Sequence, residues 1–316
     1  MSRWILRLVG GLMMLTALAF ALSRAPDRPV QSLVPRWAPP PSQFIQVGTQ
    51  LVHLRDEGIT TDTEPLVLIH GTSASLHTWE GWVRALKGQR RVITLDLPGF
   101  GLTGPSADAD YRGDTYARFV LALLDQLQVR RFSIGGNSLG GEVAWRVAAM
   151  APQRVQRLIL VDAAGHAFEP EHIPIGFRLA RMPVVNRILE GVLPRGAVEQ
   201  SVREVYGDPT RVTQALVDRY FELMLREGNR RALVQRFAQI DVGADAARIR
   251  TLRLPTLILW GGQDRLIPPQ WGRQFQQDIP GSELVVFDAL GHVPHEEDPA
   301  ATVQSVLRFL GVTPRP

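Results

Sequence analysis

The chain has 316 residues, of which 45% are hydrophobic and 21% charged, so it can build a substantial core and is not globally disordered. It contains no cysteine, which excludes disulfides, thiolate metal sites and a cysteine nucleophile. The formal net charge is +4, but the basic residues are scattered among 31 acidic ones, so we expect no nucleic-acid partner.

The first 22 residues are dominated by an apolar run. Arg3 and Arg7 precede an uncharged stretch over 8–22. Such a run after a short basic region is typical of a signal peptide, and counted from Trp4 it is nearly long enough to span a bilayer. We therefore expect residues 1–24 to be a signal peptide or an N-terminal membrane anchor; the alternative is a buried helix of the fold.

The apolar run does not by itself show on which side of a membrane the globular part lies. Arginines also follow the apolar run, at positions 24, 28 and 36, so the flanking charges indicate no orientation. We expect a membrane-anchored protein whose globular part lies outside the cytoplasm, in the periplasm. The small residues Ala19 and Ala21 would also allow cleavage, which would give a secreted protein.

Prolines are concentrated in the next segment of the chain. Residues 26–41 hold six of them, which favours an extended, semi-rigid chain over a packed element. We expect residues 25–42 to be a linker that keeps the globular part clear of the N-terminal segment.

From residue 43 onward, short apolar runs alternate with helical stretches. Runs at 43–47 and 50–55 predict a hairpin. Further Val-, Ile- and Leu-rich runs, typical of parallel strands buried on both faces, lie at 65–69, 92–95, 131–135, 157–161, 255–260 and 283–287. Helices are predicted at 77–86, 114–128, 139–151, 269–278 and 299–310, the last one capped by Asp298. This alternation predicts a mostly parallel, doubly wound α/β sheet.

One interval breaks the alternation of strands and helices. Residues 168–245 contain Arg- and Leu-rich amphipathic segments and no convincing strand. We expect this interval to form a helical cap above the carboxyl edge of the sheet. Residues 43–167 and 246–316 would then form the α/β core.

The segment IGGNSLGGEVAW at 134–145 carries the most specific pattern. It contains a G-x-S-x-G sequence centred on Ser138, between a predicted strand and a predicted helix. Such a turn is strained and needs small neighbours, and it lifts the hydroxyl above the sheet. We therefore predict that Ser138 is a nucleophile and that the Leu139 N–H binds an oxyanion. The alternative is a glycine-rich turn that cradles a phosphate.

A serine nucleophile needs a base, and His292 is the candidate. It lies in ALGHVPHEEDP, directly after a late predicted strand, where a base would face the sheet edge. His295 is the alternative, but its acidic neighbours Glu296 and Glu297 favour a solvated role. We expect His70 to be a structural histidine below the site.

The imidazole in turn needs an orienting carboxylate. Asp264 lies just past the predicted strand 255–260, and the chain order Ser138, Asp264, His292 is the order expected for this architecture. Asp162, at the end of an earlier strand, is the second choice. The alternative for Asp264 is a simple turn or helix-cap residue.

A second oxyanion donor is expected in the loop that follows the predicted strand 65–69. This loop begins His70-Gly71-Thr72, and the Thr72 N–H is the candidate. Because these roles use only protein groups, we expect neither a metal nor an organic cofactor.

Together these residues resemble the α/β-hydrolase superfamily over roughly residues 44–312. The motifs that carry the resemblance are L-I-H-G-T at 68–72, D-L-P-G-F-G at 96–101, G-N-S-L-G-G at 136–141, L-V-D-A-A-G at 160–165, W-G-G-Q-D at 260–264 and G-H-V-P-H-E-E-D-P at 291–299. The resemblance implies the α/β-hydrolase fold, a Ser-His-Asp triad and a cap that shapes the substrate pocket.

The resemblance also narrows the choice among branches of the superfamily. A serine at position 138 argues against haloalkane dehalogenases and epoxide hydrolases, which carry a carboxylate at this turn. The N-terminal apolar segment, Tyr111-Arg112 and the motifs G-G-N-S-L-G-G and L-V-D-A-A-G are similar to membrane-associated bacterial lipases and esterases.

The expected function is hydrolysis of carboxylic esters through an acyl-enzyme, with a small-molecule or lipid-like ester as substrate and the membrane as a partner of the N-terminal segment. One alternative is a C–C bond hydrolase of the meta-cleavage-product type, which would need a cap arginine for the substrate carboxylate. A non-enzyme alternative is a catalytically silent binding protein of the same fold, against which the complete triad argues.

Overall fold

The computed structural model describes residues 23–182 and 191–312, together with residues 4, 7, 8, 10, 11, 13 and 14. The anchor or signal peptide predicted for residues 1–24 thus falls mostly outside the described residues. Within the described ranges, no helix combines the length and the apolar character that a bilayer span requires.

Eight strands form one sheet, with the spatial order β1-β2-β4-β3-β5-β6-β7-β8. The strands are β1 Ser42–Val47, β2 Gln50–Gly58, β3 Leu66–Ile69, β4 Arg91–Leu95, β5 Phe132–Asn137, β6 Val155–Val161, β7 Thr256–Gly261 and β8 Glu283–Phe287. The β1–β2 and β2–β4 pairs are antiparallel, and the remaining pairs are parallel. The predicted mostly parallel α/β sheet is confirmed.

Helices connect these strands and build the layers around the sheet. They are α1 Val30–Trp37, α2 Glu80–Leu86, α3 Gly113–Gln126, α4 Leu139–Met150, α5 Ile175–Arg181, α6 Arg195–Glu204, α7 Gln214–Met224, α8 Asn229–Gln239, α9 Ala246–Ile249, α10 Gln270–Asp278, α11 Pro294–Glu297 and α12 Pro299–Leu310, and short 3₁₀ turns lie at Leu76–Trp79 and Pro209–Arg211. Asp298 caps α12 as predicted, because its carboxylate accepts a hydrogen bond from Ala301 N–H at 3.0 Å.

Residues of the central strands alternate between two apolar cores. Val67 and Ile69 of β3 pack in a core shared with α3 and α4, whereas Leu66 and Leu68 pack in a second core shared with α2 and α12. Burying each such side chain contributes about 1.5–3 kcal/mol. Burial on both faces therefore fixes the sheet firmly, and with it the carboxyl ends of its parallel strands.

Between β6 and β7 the chain leaves the sheet and forms α5 to α8. These helices have a smaller apolar cluster of their own, which includes Val198 and Val202 of α6 and Val217 of α7. Val293, from the segment after β8, also belongs to this cluster. The helical interval therefore packs onto the loops at the carboxyl edge of the sheet.

The proline-rich segment does not form the extended linker predicted for residues 25–42. Val30–Trp37 is a helix, and Leu33 within it is fully buried in a cluster with Leu102 and Leu223. The prediction was wrong because it counted prolines and overlooked the apolar residues of VQSLVPRW, which recur at i, i+3, i+4 and i+7. That spacing gives a helix an apolar face, which here packs against both the core and α7.

Residues 24–37, here called the strap, also bind the cap by their backbone. Arg28 N–H donates to Leu225 O at 2.6 Å, and Glu227 N–H donates to Arg28 O at 2.9 Å. The indole N–H of Trp37 donates to the Glu222 carboxylate at 2.7 Å. The strap is therefore part of the folded domain and connects β1 to the cap.

Candidate active site

Ser138 occupies a strained turn between β5 and α4. Its backbone angles are φ +55° and ψ −115°, a region that residues with side chains rarely adopt. The chain is packed so closely here that a Cβ on Gly136 would lie 2.1 Å from Gly140 O, and one on Gly140 would lie 2.0 Å from Ile69 O. Both glycines of the G-x-S-x-G pattern are therefore steric requirements of the turn.

Two backbone N–H groups beside Ser138 are available to bind an anion. Leu139 begins α4, so its N–H has no acceptor within the helix. Thr72 and Leu139 line the same cavity as Ser138, and neither N–H has a hydrogen-bond partner within the described part of the chain. The two predicted donors thus lie in the wall of one cavity with Ser138, and their binding of an oxyanion stays a prediction.

His292 and Asp264 are joined by a hydrogen bond of 2.7 Å between Nδ1 and Oδ2. The other carboxylate oxygen of Asp264 accepts hydrogen bonds from Leu266 N–H at 2.8 Å and Ile267 N–H at 2.9 Å. Asp264 is 2% exposed and His292 5% exposed. This arrangement fixes the imidazole with Nδ1 as donor, which leaves Nε2 free to accept a proton.

Ser138 and His292 line one cavity. No hydrogen bond joins the Ser138 hydroxyl to the imidazole in the structure as described. Hydrogen bonds of this kind are often long in the absence of substrate and shorten when it binds. The fold thus brings Ser138, Asp264 and His292 together from the ends of β5, β7 and β8.

Asp162, the second choice for the orienting acid, lies in the same place. A ligand atom from each of Asp162, Asp264 and His292 lies within 4.8 Å of the other two, and no other group of three metal-ligating side chains lies this close among the described residues. The 2.7 Å contact between His292 and Asp264 is a hydrogen bond, and the second oxygen of Asp264 already accepts two N–H groups. Asp264 and His292 are therefore joined to each other, and Asp162 lies beside them with one carboxyl oxygen unpaired.

Two side chains that the sequence analysis did not assign hold the His292 loop. Asn137 donates from Nδ2 to His292 O at 2.9 Å. Glu297 accepts from Gly291 N–H at 2.8 Å, and also from the two cap N–H groups at 207–208 at 3.0 and 2.8 Å. Asn137 and Glu297 both lie within the motifs quoted above, which could have drawn attention to them. The motif spacing does not show which backbone group each side chain contacts.

His295 does not have the solvated role that was predicted. It is fully buried, its Nε2 lies 2.9 Å from Thr78 Oγ1, and its ring packs on Trp79 with centroids 4.1 Å apart. Burial lowers the pKa of His295 to about 3, so the ring is neutral. The prediction was wrong because the neighbouring Glu296 faces the protein interior, where it pairs with Arg219.

His70 has the structural role that was expected of it. Its Nδ1 donates to Gly71 O at 2.7 Å, and its Nε2 accepts from Leu97 N–H at 3.0 Å. Burial lowers its pKa, which keeps the ring neutral, as this pair of hydrogen bonds requires. The histidine therefore connects the loop that carries Thr72 to the end of β4.

Ser138 lies where two cavities meet. The first occupies about 1080 Å³, part of it open to solvent, and is lined mainly by apolar cap side chains, among them Phe177, Ala180, Leu193, Val198, Val202 and Leu233. The second occupies about 1470 Å³, also partly open to solvent, and has many charged residues on its wall: Arg112, Asp114, Arg118, Glu142, Arg146, Arg181, Arg236, Asp241 and Asp245. Thr72, Ser138, Phe177 and Leu266 line both cavities.

Many charges in the second cavity compensate one another. Arg146, for example, contacts Asp114 at 2.7 Å, Glu142 at 3.0 Å and Asp245 at 2.6 Å. Arg181 differs, since its guanidinium lies over the Phe237 ring at 4.9 Å and has no ion-pair partner within the described ranges. This cavity therefore presents a cation to whatever occupies it.

Comparison with known proteins shows relatives with several activities. A family model described as "alpha/beta hydrolase fold" matches residues 64–299. The dihydrolipoyllysine-residue acetyltransferase component of the acetoin cleaving system of Pseudomonas putida is 34% identical over 279 residues, which are 86% of this chain and 70% of that protein. The 2-hydroxymuconate semialdehyde hydrolase of Pseudomonas sp. strain CF600 is 29% identical over 85% of this chain and 96% of its own.

Solved structures give the same picture of the fold. A membrane phospholipase A, described as a bacterial virulence factor, has a TM-score of 0.74 and 25% identity over 98% of both chains. The meta-cleavage product hydrolase of Pseudomonas fluorescens IP01 has a TM-score of 0.74 and 25% identity over 85% of this chain and 97% of its own.

Proposed function

We propose that this chain, which belongs to the α/β-hydrolase family, is a serine hydrolase that cleaves carboxylic esters with an apolar acyl chain. The observation that carries the proposal is the apolar cavity beside Ser138, which is lined by cap residues such as Val198 and Val202. An acyl chain in this cavity would gain about 0.8 kcal/mol for each methylene removed from water. The similarity to a membrane phospholipase A further supports a lipid-like substrate.

In the proposed reaction, Ser138 Oγ attacks the ester carbonyl while His292 Nε2 takes the hydroxyl proton. The carbonyl oxygen becomes an oxyanion and is bound by the N–H groups of Leu139 and Thr72. His292 then protonates the alcohol oxygen as the C–O bond breaks, and Asp264 stabilises the imidazolium between these steps. Water, activated by His292, hydrolyses the acyl-enzyme.

The second cavity would hold the alcohol part of the ester. Its wall carries charged side chains on the other side of Ser138 from the apolar cavity. An alcohol with polar or anionic groups keeps hydrogen-bonding partners there, and Arg181 provides a cation without an ion-pair partner among the described residues.

Hydrolysis of p-nitrophenyl esters from acetate to palmitate by the full chain tests the proposal. We expect activity that increases from acetate to the medium or longer chains and disappears in Ser138→Ala. Val202→Phe, which fills the apolar cavity, should lower the activity on long chains relative to acetate. Val212→Phe is the matched control, because Val212 belongs to the same apolar cluster of the cap but lines neither cavity. A folded protein without activity on any ester would overturn the proposal.

A C–C bond hydrolase is the second candidate, because relatives at 29% identity are named as hydrolases of this kind. Arg181 would then bind the carboxylate of a vinylogous diketo acid in the second cavity. Cleavage of such an acid faster than any ester, with loss in Arg181→Gln, would favour this reaction over ester hydrolysis.

We also propose that the N-terminal apolar run directs the protein to a membrane or out of the cytoplasm. The support is the uncharged stretch over 8–22 that follows Arg3 and Arg7. Fractionation of cells that express the full chain tests this location. We expect the protein in the membrane or periplasmic fraction, and recovery in the cytoplasmic fraction would overturn it.

A further inference from the structure

Asp162 is a buried carboxyl group that the proposed reaction does not use. It directly follows β6, is 0% exposed and has a φ of +45°, in the left-handed region. A residue with a side chain adopts this conformation at a cost of about 1–3 kcal/mol, and it persists where surrounding contacts fix it. The contacts of Asp162 therefore hold it in this conformation.

The two carboxyl oxygens of Asp162 have different surroundings. Oδ1 accepts a hydrogen bond from Gly261 N–H at 2.8 Å. Oδ2 is buried and has no hydrogen-bond partner in the structure. The titratable groups that face the side chain are Asp264, His292 and Glu297. A second negative charge beside Asp264 would be strongly unfavourable in this dry setting, whereas an O–H at Oδ2 has a carboxylate to donate to.

We propose that Asp162 is a positioning residue that stays protonated at neutral pH and donates its Oδ2 proton to the Asp264 carboxylate. The inference rests on the proposed function only in that Asp264 is the acid that orients His292. Burial, together with the negative charge of Asp264, raises the pKa of Asp162 well above its ordinary value. The two carboxyl groups thus share one negative charge.

This hydrogen bond acts on the triad through Asp264. It adds a donor to the two N–H groups, of Leu266 and Ile267, that already fix the carboxylate. A carboxylate that accepts more hydrogen bonds is a weaker base, so the proton between Asp264 and His292 stays on the imidazole. Asp162 therefore sets both the orientation of Asp264 and the basicity that His292 experiences.

A proton held by the folded chain also makes stability depend on pH. In the unfolded chain Asp162 has an ordinary pKa of about 3.9, so it loses its proton above that pH while the folded chain keeps it. The free energy of unfolding therefore falls as the pH rises from about 4 towards the folded pKa. Asp162→Asn cannot release a proton, and this part of the pH dependence disappears.

The first test is the melting temperature of the full chain from mildly acidic to mildly alkaline pH. We expect the melting temperature of Asp162→Asn, relative to the wild type, to increase with pH. Asp62→Asn is the control of opposite sign: burial raises the pKa of Asp62, but its hydrogen bonds with Arg90 and with the N–H groups of Glu64 and Arg91 together outweigh burial, so the pKa is lowered. A difference between Asp162→Asn and the wild type that is constant or decreases with pH would overturn the proposal.

Infrared spectroscopy detects the same proton directly. At neutral pH the wild type should show the C=O band of a protonated carboxyl group, which is lost in Asp162→Asn and kept in Asp62→Asn. If Asp162→Asn does not fold, Asp264→Asn replaces it: without the neighbouring charge Asp162 ionises more readily, so the band should disappear at lower pH than in the wild type. Absence of the band from the wild type at neutral pH overturns the proposal.

Kinetics test the effect on the triad. In Asp264→Asn, Asp162 is the nearest carboxyl group left to His292, so the residual activity should rise with pH as Asp162 ionises. Adding Asp162→Asn should remove this rise and lower the rate about tenfold or more. A double variant as active as the single one overturns the link to His292. If the wild type hydrolyses no ester, the proposed function fails, and the melting and infrared experiments still decide the protonation of Asp162.

Discussion

Two Ser–His–Asp arrangements lie among the described residues, and they differ both in their contacts and in their surroundings. In the second one, His53 Nε2 lies 2.9 Å from Ser42 Oγ, and Nδ1 lies 2.7 Å from Asp96 Oδ2. By distance this arrangement is the more complete, because Ser138 has no hydrogen bond to His292 in the described structure. Interatomic distances alone would therefore favour Ser42 over Ser138, the serine that we propose as the nucleophile.

The surroundings separate the two arrangements. Ser42 begins the regular strand β1, and its hydroxyl also accepts a hydrogen bond from Arg55 Nε at 3.0 Å. Asp96 accepts two backbone hydrogen bonds, from Leu76 N–H at 2.7 Å and Leu102 N–H at 2.8 Å. None of the three side chains lines either cavity at Ser138. Ser138 has a strained turn, an open cavity and two neighbouring N–H groups without partners among the described residues, whereas the Ser42 contacts form a structural network.

The largest expected difference is between the two serines. Ser138→Ala should lower kcat/KM for the best p-nitrophenyl ester by about 10⁴-fold or more, because the nucleophile is lost. Ser42→Ala should leave kcat/KM within about twofold, because Ser42 lies away from the reacting atoms and its loss should affect stability and not turnover. Steady-state kinetics of both variants, with circular dichroism to verify folding, decide the matter. Equal losses in the two variants would contradict the assignment of the nucleophile.

Asp96 provides the next largest effect, on stability. Burial alone would raise its pKa, but the neighbouring histidines, His53 first, hold the pKa of Asp96 well below its ordinary value. Asp96→Asn should therefore lower the free energy of unfolding by about 2–3 kcal/mol at neutral pH, since it breaks a buried charged network.

The pH dependence of the Asp96 effect has a defined sign. A lowered pKa stabilises the fold above the unfolded value of about 3.9, and this contribution is lost as the pH falls below it. Urea unfolding should show a difference in the free energy of unfolding between the wild type and Asp96→Asn that is largest at neutral pH and decreases below about pH 4. A difference that increases at acidic pH would contradict the network described for Asp96.

A smaller effect on turnover is expected at Asn137, which contacts the arrangement of Ser138, His292 and Asp264 and has no counterpart in the Ser42 network among the described residues. Asn137→Leu removes the hydrogen bond to His292 O, so we expect kcat to fall about tenfold with little change in KM. Asn229→Leu is the matched control, because this buried amide also donates to two backbone carbonyls, of Gly101 and Leu223. Both variants should lose stability, but loss of kcat in both alike would contradict a specific role for Asn137.

The smallest effect tests what the Ser42 network does. Glu222 binds Arg36 and Trp37 at the end of the strap, and Ser42 follows shortly after it at the start of β1. If the two contacts fix this part of the chain together, Ser42→Ala and Glu222→Gln should destabilise the fold non-additively. We expect a coupling of about 0.5 kcal/mol, because Arg36, one partner of Glu222, is half exposed and its ion pair is screened. Urea unfolding of the two single variants and the double variant measures it. Strict additivity would show that the two contacts act independently.

The core of the fold was predictable from local patterns in the sequence. The run at 65–69 predicted a strand found at Leu66–Ile69, and the run at 283–287 matches Glu283–Phe287. The first of these strands is buried on both faces and the second, at the sheet edge, is only partly buried, but in both the continuous apolar residues are visible without knowledge of their partners. The turn at Ser138 was predictable for a similar reason, because its steric requirement for glycine lies within five residues of sequence.

What the sequence did not reveal depends on contacts between distant parts of the chain. The carbonyl that Asn137 binds belongs to a residue 155 positions away. His295 was predicted to be solvated because its neighbours are acidic, but the cap residue Arg219 draws Glu296 into the interior. The helix Val30–Trp37 differs from these cases, because its apolar spacing is visible in the sequence and was outweighed by its prolines; the sequence does not show that residues 102 and 223 cover its apolar face.

The strap makes the cap the first part of the molecule to bear a mechanical load applied at the N-terminal end. Ala25 N–H binds Gly191 O and Leu193 N–H binds Ser23 O, both at 3.1 Å, so the chain is attached to the cap before it reaches β1. Leu193 also lines the apolar cavity at Ser138. Tension on the N-terminal residues would therefore act on the wall of that cavity before it reaches the sheet, and the point of attachment would couple force to the volume of the cavity.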